Sequence, residues 1–247
     1  LDGGIIPIVR FKYRFPDPWT EMEATEQLVA LYGQYDAPCI IQFANEPFDS
    51  REWKGSQVPP KDEAWAIIRD RWQEAAGRIA ERGAIAGFPD GPSYRENPFA
   101  IIGDEAHHWE EGRAVYLGHY YGKGRPLDFP EDEVSHCGTP LTMEEYRAAL
   151  DDYADDPAWN EGEYVLALMN EQRAEWADPS LTPLDDDICW RGWEKVLHWS
   201  RTTFGFEVQI AMTEGGWVPR DRAGSGNQII FLNMFQEFFE SLVIRGF

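Results

Sequence analysis

Short apolar runs and helix-like segments alternate along the chain, and this alternation limits the fold more than any other feature of the sequence. The apolar runs have the composition of buried strands. They occupy residues 4–11, 39–44, 84–88, 114–121 and 206–213. Regular strand and helix alternation predicts a parallel sheet built from right-handed βαβ units. We therefore expect an α/β protein, with either a barrel or a doubly wound sheet.

The helical segments are marked by apolar residues that recur every three or four positions. The clearest segment runs from Asp62 to Arg82 and ends before Gly83, a residue suited to a helix C-terminus. One apolar stripe of this helix would contain Trp65, Ile68, Trp72, Ala75, Ala76 and Ile79. Other helices are predicted from an N-cap at Thr20 to Gly33, and over 99–111, 190–204 and 228–244.

A long segment at 122–187 interrupts the alternation after the fourth apolar run. It is rich in Pro, Asp and Gly and contains two helical stretches, near 143–153 and 164–177. Segments of this length between core elements are usually either functional lids or disordered inserts. We predict one barrel domain over residues 1–247 with this insert inside it.

Composition narrows the classes of partner. The formal net charge is −22, from 44 acidic and 22 basic residues, and such a charge repels nucleic acid. The acidic patches are interpreted as solvated surface. Every apolar run is shorter than the ~18 residues of a membrane span. The 11 Trp, 10 Tyr and 14 Phe residues favour a carbohydrate partner, because aromatic faces stack on sugar rings.

Metals, cofactors and a redox compartment are not indicated. The three cysteines are too widely spaced for a metal knuckle, and they leave the cellular location open. His107 and His108 lie next to Glu105 and Glu110, but adjacent histidines point apart on a helix, so we predict no metal. No glycine-rich phosphate loop follows a strand, which disfavours a nucleotide.

Two glutamates follow apolar runs that are far apart in sequence. Glu46 comes after the run that starts at Cys39, and Glu214 comes after the run 206–213. In parallel α/β folds the site lies at the carboxyl ends of the strands. Two carboxyl groups that converge there are the minimum that hydrolysis of a glycosidic bond requires. The alternative is structural: either glutamate caps a turn or pairs with a nearby arginine.

Three motifs in a fixed order resemble one large clan of enzymes. Asn45-Glu46-Pro47, His119-x-Tyr121 and Thr213-Glu214-Gly215-Gly216-Trp217 are similar to the retaining, cellulase-like glycoside hydrolases that fold as (β/α)₈ barrels. The resemblance implies that Glu46 is the acid/base on the fourth barrel strand. It implies that Glu214 is the nucleophile on the seventh.

The same resemblance implies binding roles for other residues. Asn45 would bond the sugar hydroxyl next to the reacting carbon, and Trp217 would stack on the sugar. His119 and Tyr121 would line the site and hold the nucleophile. For His119 the structural alternative is a hydrogen-bonded core histidine.

Two further residues are expected to contact the substrate. Arg10, at the end of the first apolar run, would support the nucleophile or the substrate. Trp53 follows Glu46 closely and is the loop tryptophan most expected to contact the ligand, although packing is the alternative.

The resemblance also implies that the barrel is incomplete. If Glu46 belongs to the fourth strand, the five apolar runs are strands 3 to 7, and the first two units and the eighth strand are missing. We therefore expect the chain to be a piece of a longer protein, or its barrel to be closed by another chain.

The function expected from these observations is retaining hydrolysis of β-linked glycans by double displacement, with no cofactor. Carbohydrate would be the partner, and neither nucleic acid nor membrane would be one. Two alternatives stay open: a carbohydrate-binding barrel without catalysis, and an interaction fragment of a larger surface assembly.

Overall fold

The computed structural model describes residues 6–35, 37–89, 96–103, 106–120, 129–146, 162–185 and 191–215. The chain divides into two compact units. One unit is Leu1–Tyr121 with Trp193–Val218, and the other is Gly122–Gly192 with Pro219–Phe247. The sheet belongs to the first unit, and the segment 122–187 predicted as an insert belongs to the second.

The described strands form one parallel sheet in which spatial order follows chain order. The strands are β1 Ile8–Arg10, β2 Ile40–Gln42, β3 Ile85–Pro89, β4 Ala114–Tyr120 and β5 Ile210–Gly215. Every neighbouring pair is parallel. Doubly wound sheets reverse their strand order at a switch point, and this curled sheet does not. The result is an α/β half-barrel compatible with an incomplete (β/α) barrel.

The helices follow the predicted segments with several differences. In the first unit they are α1 Met22–Gly33, α2 Lys61–Glu81, α3 Pro98–Ile102, α4 Ala106–Glu110 and α7 Gly192–Phe204, the last beginning at the unit boundary. In the second unit they are α5 Glu133–Cys137 and α6 Gly162–Trp176. The predicted N-cap at Thr20 is wrong, because α1 begins at Met22 with Glu21 before it and no side-chain cap. The helix predicted at 228–244 lies outside the described residues.

The helix predicted at 99–111 is not continuous. The structure has α3 and α4 in its place, with Gly103 after α3 at a φ of 29°. Asn97 caps α3 by accepting bonds from the backbone N–H groups of Phe99 and Ala100. A positive φ is easily adopted by glycine and interrupts a helix, which explains the division.

The main core lies between one face of the sheet and helices of the first unit. All six residues of the predicted α2 stripe are buried. The Trp72 ring lies 4.9 Å from that of Phe88 on β3 and 5.7 Å from that of Trp109 on α4. Burying a large apolar side chain contributes about 1.5–3 kcal/mol. This aromatic packing fixes α2 against the sheet that positions the site.

The opposite face of the sheet carries a second, smaller cluster. It consists of Ile40, Val115 and Leu117, with Ile85 and Ala211 packed against it. Residues two apart on a strand share a face, so His119 is on the same face as Leu117. His119 is only 3% exposed. The candidate site therefore begins where this apolar face meets the carboxyl end of the sheet.

We predict that Gly87 is required by close packing on this opposite face. A Cβ at Gly87 would lie 2.5 Å from Leu117 Cδ1 and 3.1 Å from Ile40 Cγ2. Gly87→Ala should therefore lower the free energy of unfolding by about 1–3 kcal/mol, as overpacking does. Urea unfolding would measure this change.

Gly77 is the matched control for that substitution, because it lies inside α2 and a Cβ there meets nothing within 4 Å. Gly77→Ala should stabilise the protein by about 0.5–1 kcal/mol. If Gly87→Ala is as stable as the wild type, the close approach of Leu117 and Ile40 to Gly87 is incorrect.

Candidate functional site

The segment after β2 carries Asn45 and Glu46 beyond the carboxyl end of the sheet. Gln42 ends the strand, and its Nε2 donates to the Ala44 carbonyl at 2.7 Å and to Asn45 Oδ1 at 3.3 Å. The Asp49 N–H donates to the Glu46 carbonyl at 2.7 Å and closes a turn. Glu46 thus lies on a turn four residues past the strand, rather than at its last residue.

The Glu46 side chain points back to β4. Its Oε1 lies 3.5 Å from Nδ1 of His119, and the side chain is 18% exposed. At 3.5 Å this is an electrostatic contact rather than a short hydrogen bond. Two residues that the sequence proposed separately, from β2 and β4, therefore meet.

The pairing of β4 with β5 places the Glu214 backbone beside His119. The register of these two strands is regular as far as the pair of Gly118 with Met212. It then shifts by one residue, so that His119 pairs with Glu214. Thr213 is the extra residue of this bulge. Neighbouring strands are about 4.8 Å apart, so the Glu214 backbone begins one strand spacing from His119. Bulges of this kind often occur next to active sites.

Two of the predicted site residues, Tyr121 and Trp217, lie outside the described residues. Asn45 is half-buried beside Glu46. The roles given to these three residues stay predictions.

The structure places Trp53 in the core rather than on a binding surface. The residue is 2% exposed, and its ring centroid lies 4.9 Å from that of Phe15. Its Nε1 donates to the Pro47 carbonyl at 2.8 Å. The prediction that Trp53 contacts a ligand is therefore wrong, because its ring is covered and its polar atom is already bonded. The residue has a packing role.

Arg10, which was expected to support the nucleophile or the substrate, pairs with a carboxylate that the sequence did not single out. Its Nη2 donates to Glu52 Oε1 at 2.7 Å. Glu52 is 8% exposed, and its burial raises the pKa of its carboxyl group. The charge and hydrogen bond of Arg10 lower this pKa, whereas the negative charges of Asp49 and Glu46 raise it further. The sequence gives little signal for Glu52, because a glutamate between an arginine and a tryptophan is ordinary in a surface loop.

A second arginine lies on the solvent side of Glu46. Arg51 Nη2 is 3.8 Å from Glu46 Oε2 and also bonds the Asp49 carboxylate. Hydrogen bonds from Arg51 hold the pKa of Asp49 at about 2. Around Glu46 the structure therefore groups two further acidic residues, Asp49 and Glu52, with Arg10, Arg51 and the buried His119.

Neither a metal centre nor a membrane span is present in the part of the chain that the structure describes. Within those residues no group of three histidine, cysteine, aspartate or glutamate side chains could hold a metal ion. Among the described helices, none combines the length and apolar character that crossing a bilayer requires. The expectation that His107 and His108 point apart is wrong, because their ring centroids lie 3.9 Å from each other on α4.

Comparison with models of protein families, with curated proteins and with solved structures gives no match. Function is therefore inferred from the chemistry of the site alone.

We predict that Glu52 makes stability depend on pH. Because its pKa is raised in the folded state, its protonation stabilises the fold below the unfolded pKa of about 4.3, and this contribution is lost as the pH rises through the folded pKa. Glu52→Gln cannot titrate. The free energy of unfolding of Glu52→Gln minus that of the wild type, measured by urea titration at each pH, should therefore increase from pH 4 to pH 7.

Glu81→Gln, at an exposed glutamate on α2, is the control and should show no such trend. A Glu52→Gln stability that stays constant or falls relative to wild type over this range would contradict the prediction.

Proposed function

We propose that this chain hydrolyses β-linked glycans with retention of anomeric configuration, as part of a (β/α)₈ barrel whose strands 3 to 7 are β1 to β5. The observation that carries the proposal is the convergence of Glu46 and Glu214 on His119. Glu46 approaches through its side chain, and Glu214 approaches through its backbone on the next strand. The two acids are 168 positions apart in sequence (214 minus 46).

The setting of Glu46 supports an acid/base role. Its carboxylate is partly buried, yet one oxygen lies toward exposed Arg51 and the other toward buried His119. A group that exchanges protons with both a leaving group and water needs this combination of access and orientation. The imidazole of His119 would keep the carboxyl group directed across the carboxyl end of the sheet.

The reaction would proceed in two displacements. The Glu214 carboxylate attacks the anomeric carbon while Glu46 gives its proton to the glycosidic oxygen, which leaves as an alcohol. A covalent glycosyl ester on Glu214 results. Glu46, now ionised, takes a proton from water, the hydroxide oxygen attacks the anomeric carbon, and Glu214 departs as a carboxylate. Both acids return to their starting states.

Substitutions at the two glutamates test this proposal with different expected results. Glu214→Ala should reduce hydrolysis of a β-glycan to background, because no nucleophile remains. Glu46→Ala should slow glycan hydrolysis by about 10²–10⁴-fold. It should spare the formation of the glycosyl-enzyme from dinitrophenyl glycosides, whose leaving group needs no protonation. The measurements are steady-state rates on a panel of β-glycans and the NMR signal of the first anomer released.

Glu81→Ala, on the exposed face of α2, is the matched control and should keep wild-type rates. Full activity of the Glu46 or Glu214 variant would overturn the proposal, and so would release of the inverted anomer. Sugar binding by calorimetry without hydrolysis would instead favour a carbohydrate-binding barrel.

A further inference from the structure

The loop that carries Glu46 is attached to the segment that follows β1. We call residues 43–56 the Glu46 loop. The Phe15 N–H donates to the Glu52 carbonyl at 2.9 Å, and the Lys54 N–H donates to the Phe15 carbonyl at 2.8 Å. These bonds form a parallel bridge between Phe15 and Trp53. The far end of the loop is thereby fixed to the core.

Hydrogen bonds connect this fixed end to Glu46. The Glu52 N–H donates to the Asp49 carbonyl at 3.0 Å, and the Asp49 N–H donates to the Glu46 carbonyl at 2.7 Å. The Trp53 indole bonds the carbonyl of Pro47, the residue after Glu46. The two backbone bonds in series, together with the indole bond to Pro47, therefore couple the position of Glu52 to that of Glu46.

The Glu52 side chain adds a charged contact with Arg10. It is buried, and Arg10, the last residue of β1, donates to it at 2.7 Å. Burying a carboxylate costs several kcal/mol unless a partner compensates for it. Arg10 offsets part of this cost, and its side chain remains 38% exposed at the carboxyl end of the sheet. A charge-assisted bond is about twice as strong as a neutral one, so the pair limits where the loop can lie.

We propose that Glu52 is a positioning residue for the acid/base step: through Arg10 it holds the Glu46 loop on the end of β1, so that the Glu46 carboxyl group stays beside His119. This inference rests on the proposed function. The groups that face Glu52 are Arg10 from β1, and Asp49 and Glu46 from the loop itself. Glu52 itself does not touch the reacting atoms.

The test compares Glu52→Gln, Arg10→Met, the double variant and a control. Displacement of a catalytic group by about 1 Å can cost 10²-fold. We expect kcat on a β-glycan to fall about 10–100-fold in both single variants. On dinitrophenyl glycosides the rate of glycosylation should stay within about threefold, because this leaving group needs no proton from Glu46. Because the two residues act as a pair, the double variant should be no slower than the slower single variant.

Lys54→Met is the matched control. Lys54 ties the same loop to the same segment through an exposed salt bridge to Asp17 at 2.5 Å. Such pairs contribute about 0–1 kcal/mol, so this variant should keep kcat within about twofold. A structural weakening of the loop alone would slow both substrate classes equally in Glu52→Gln, and that result would overturn the proposal. Unchanged glycan hydrolysis in Glu52→Gln or Arg10→Met would overturn it as well.

Amide hydrogen exchange separates this inference from the proposed function. In Glu52→Gln and Arg10→Met, the amides of Asp49, Glu52 and Trp53 should exchange at least about tenfold faster than in wild type and Lys54→Met. If the wild-type chain does not hydrolyse glycans, the proposed function and the catalytic part of this inference both fail. Unchanged exchange in an active enzyme would refute the positioning role while leaving the proposed function intact.

Discussion

The parallel pairing of strands in chain order is the constraint on which the candidate site depends. Because β2, β4 and β5 all end at the same edge of the sheet, residues 46, 119 and 214 come together there although they are far apart in sequence. The pairing of His119 with Glu214 and the contact of His119 with Glu46 follow from this order. A reversed strand order would place these residues at separate points.

The core explains why this edge can hold charged groups. One face of the sheet is closed by aromatic residues packed against α2, and the other by the cluster of Ile40, Val115 and Leu117. Among the buried polar residues, Gln42 and His119 lie toward the carboxyl ends of β2 and β4, and Glu52 lies on the Glu46 loop beyond them. Buried ionisable groups need partners, and Arg10 supplies one for Glu52. In this way the packing that stabilises the sheet also determines the charge arrangement around Glu46.

Local patterns predicted the elements well and the interactions of the loops poorly. The stripe of α2 was predicted residue by residue, because a 21-residue amphipathic helix is specified by its own periodicity. The alternation of strands and helices likewise predicted a parallel sheet. It did not distinguish a barrel from a doubly wound sheet, because strand order depends on long-range pairing.

Three features of the site could not be read from local periodicity. The bulge at Thr213 brings Glu214 level with His119, whereas regular pairing after Gly118 and Met212 would bring Thr213 there. The bond between Arg10 and Glu52 spans 42 residues, and it carries no local signal. The burial of Trp53 depends on Phe15, which comes from another part of the chain. All three depend on contacts between segments distant in sequence.

The decisive measurement is the distance between the carboxyl carbons of Glu46 and Glu214 in a crystal structure of the protein. If the two glutamates are a retaining pair, this distance should be about 5–5.5 Å, with His119 beside both groups. A separation beyond the ~9.5 Å limit of an inverting pair, or two carboxyl groups on opposite faces of the sheet, would contradict this pairing.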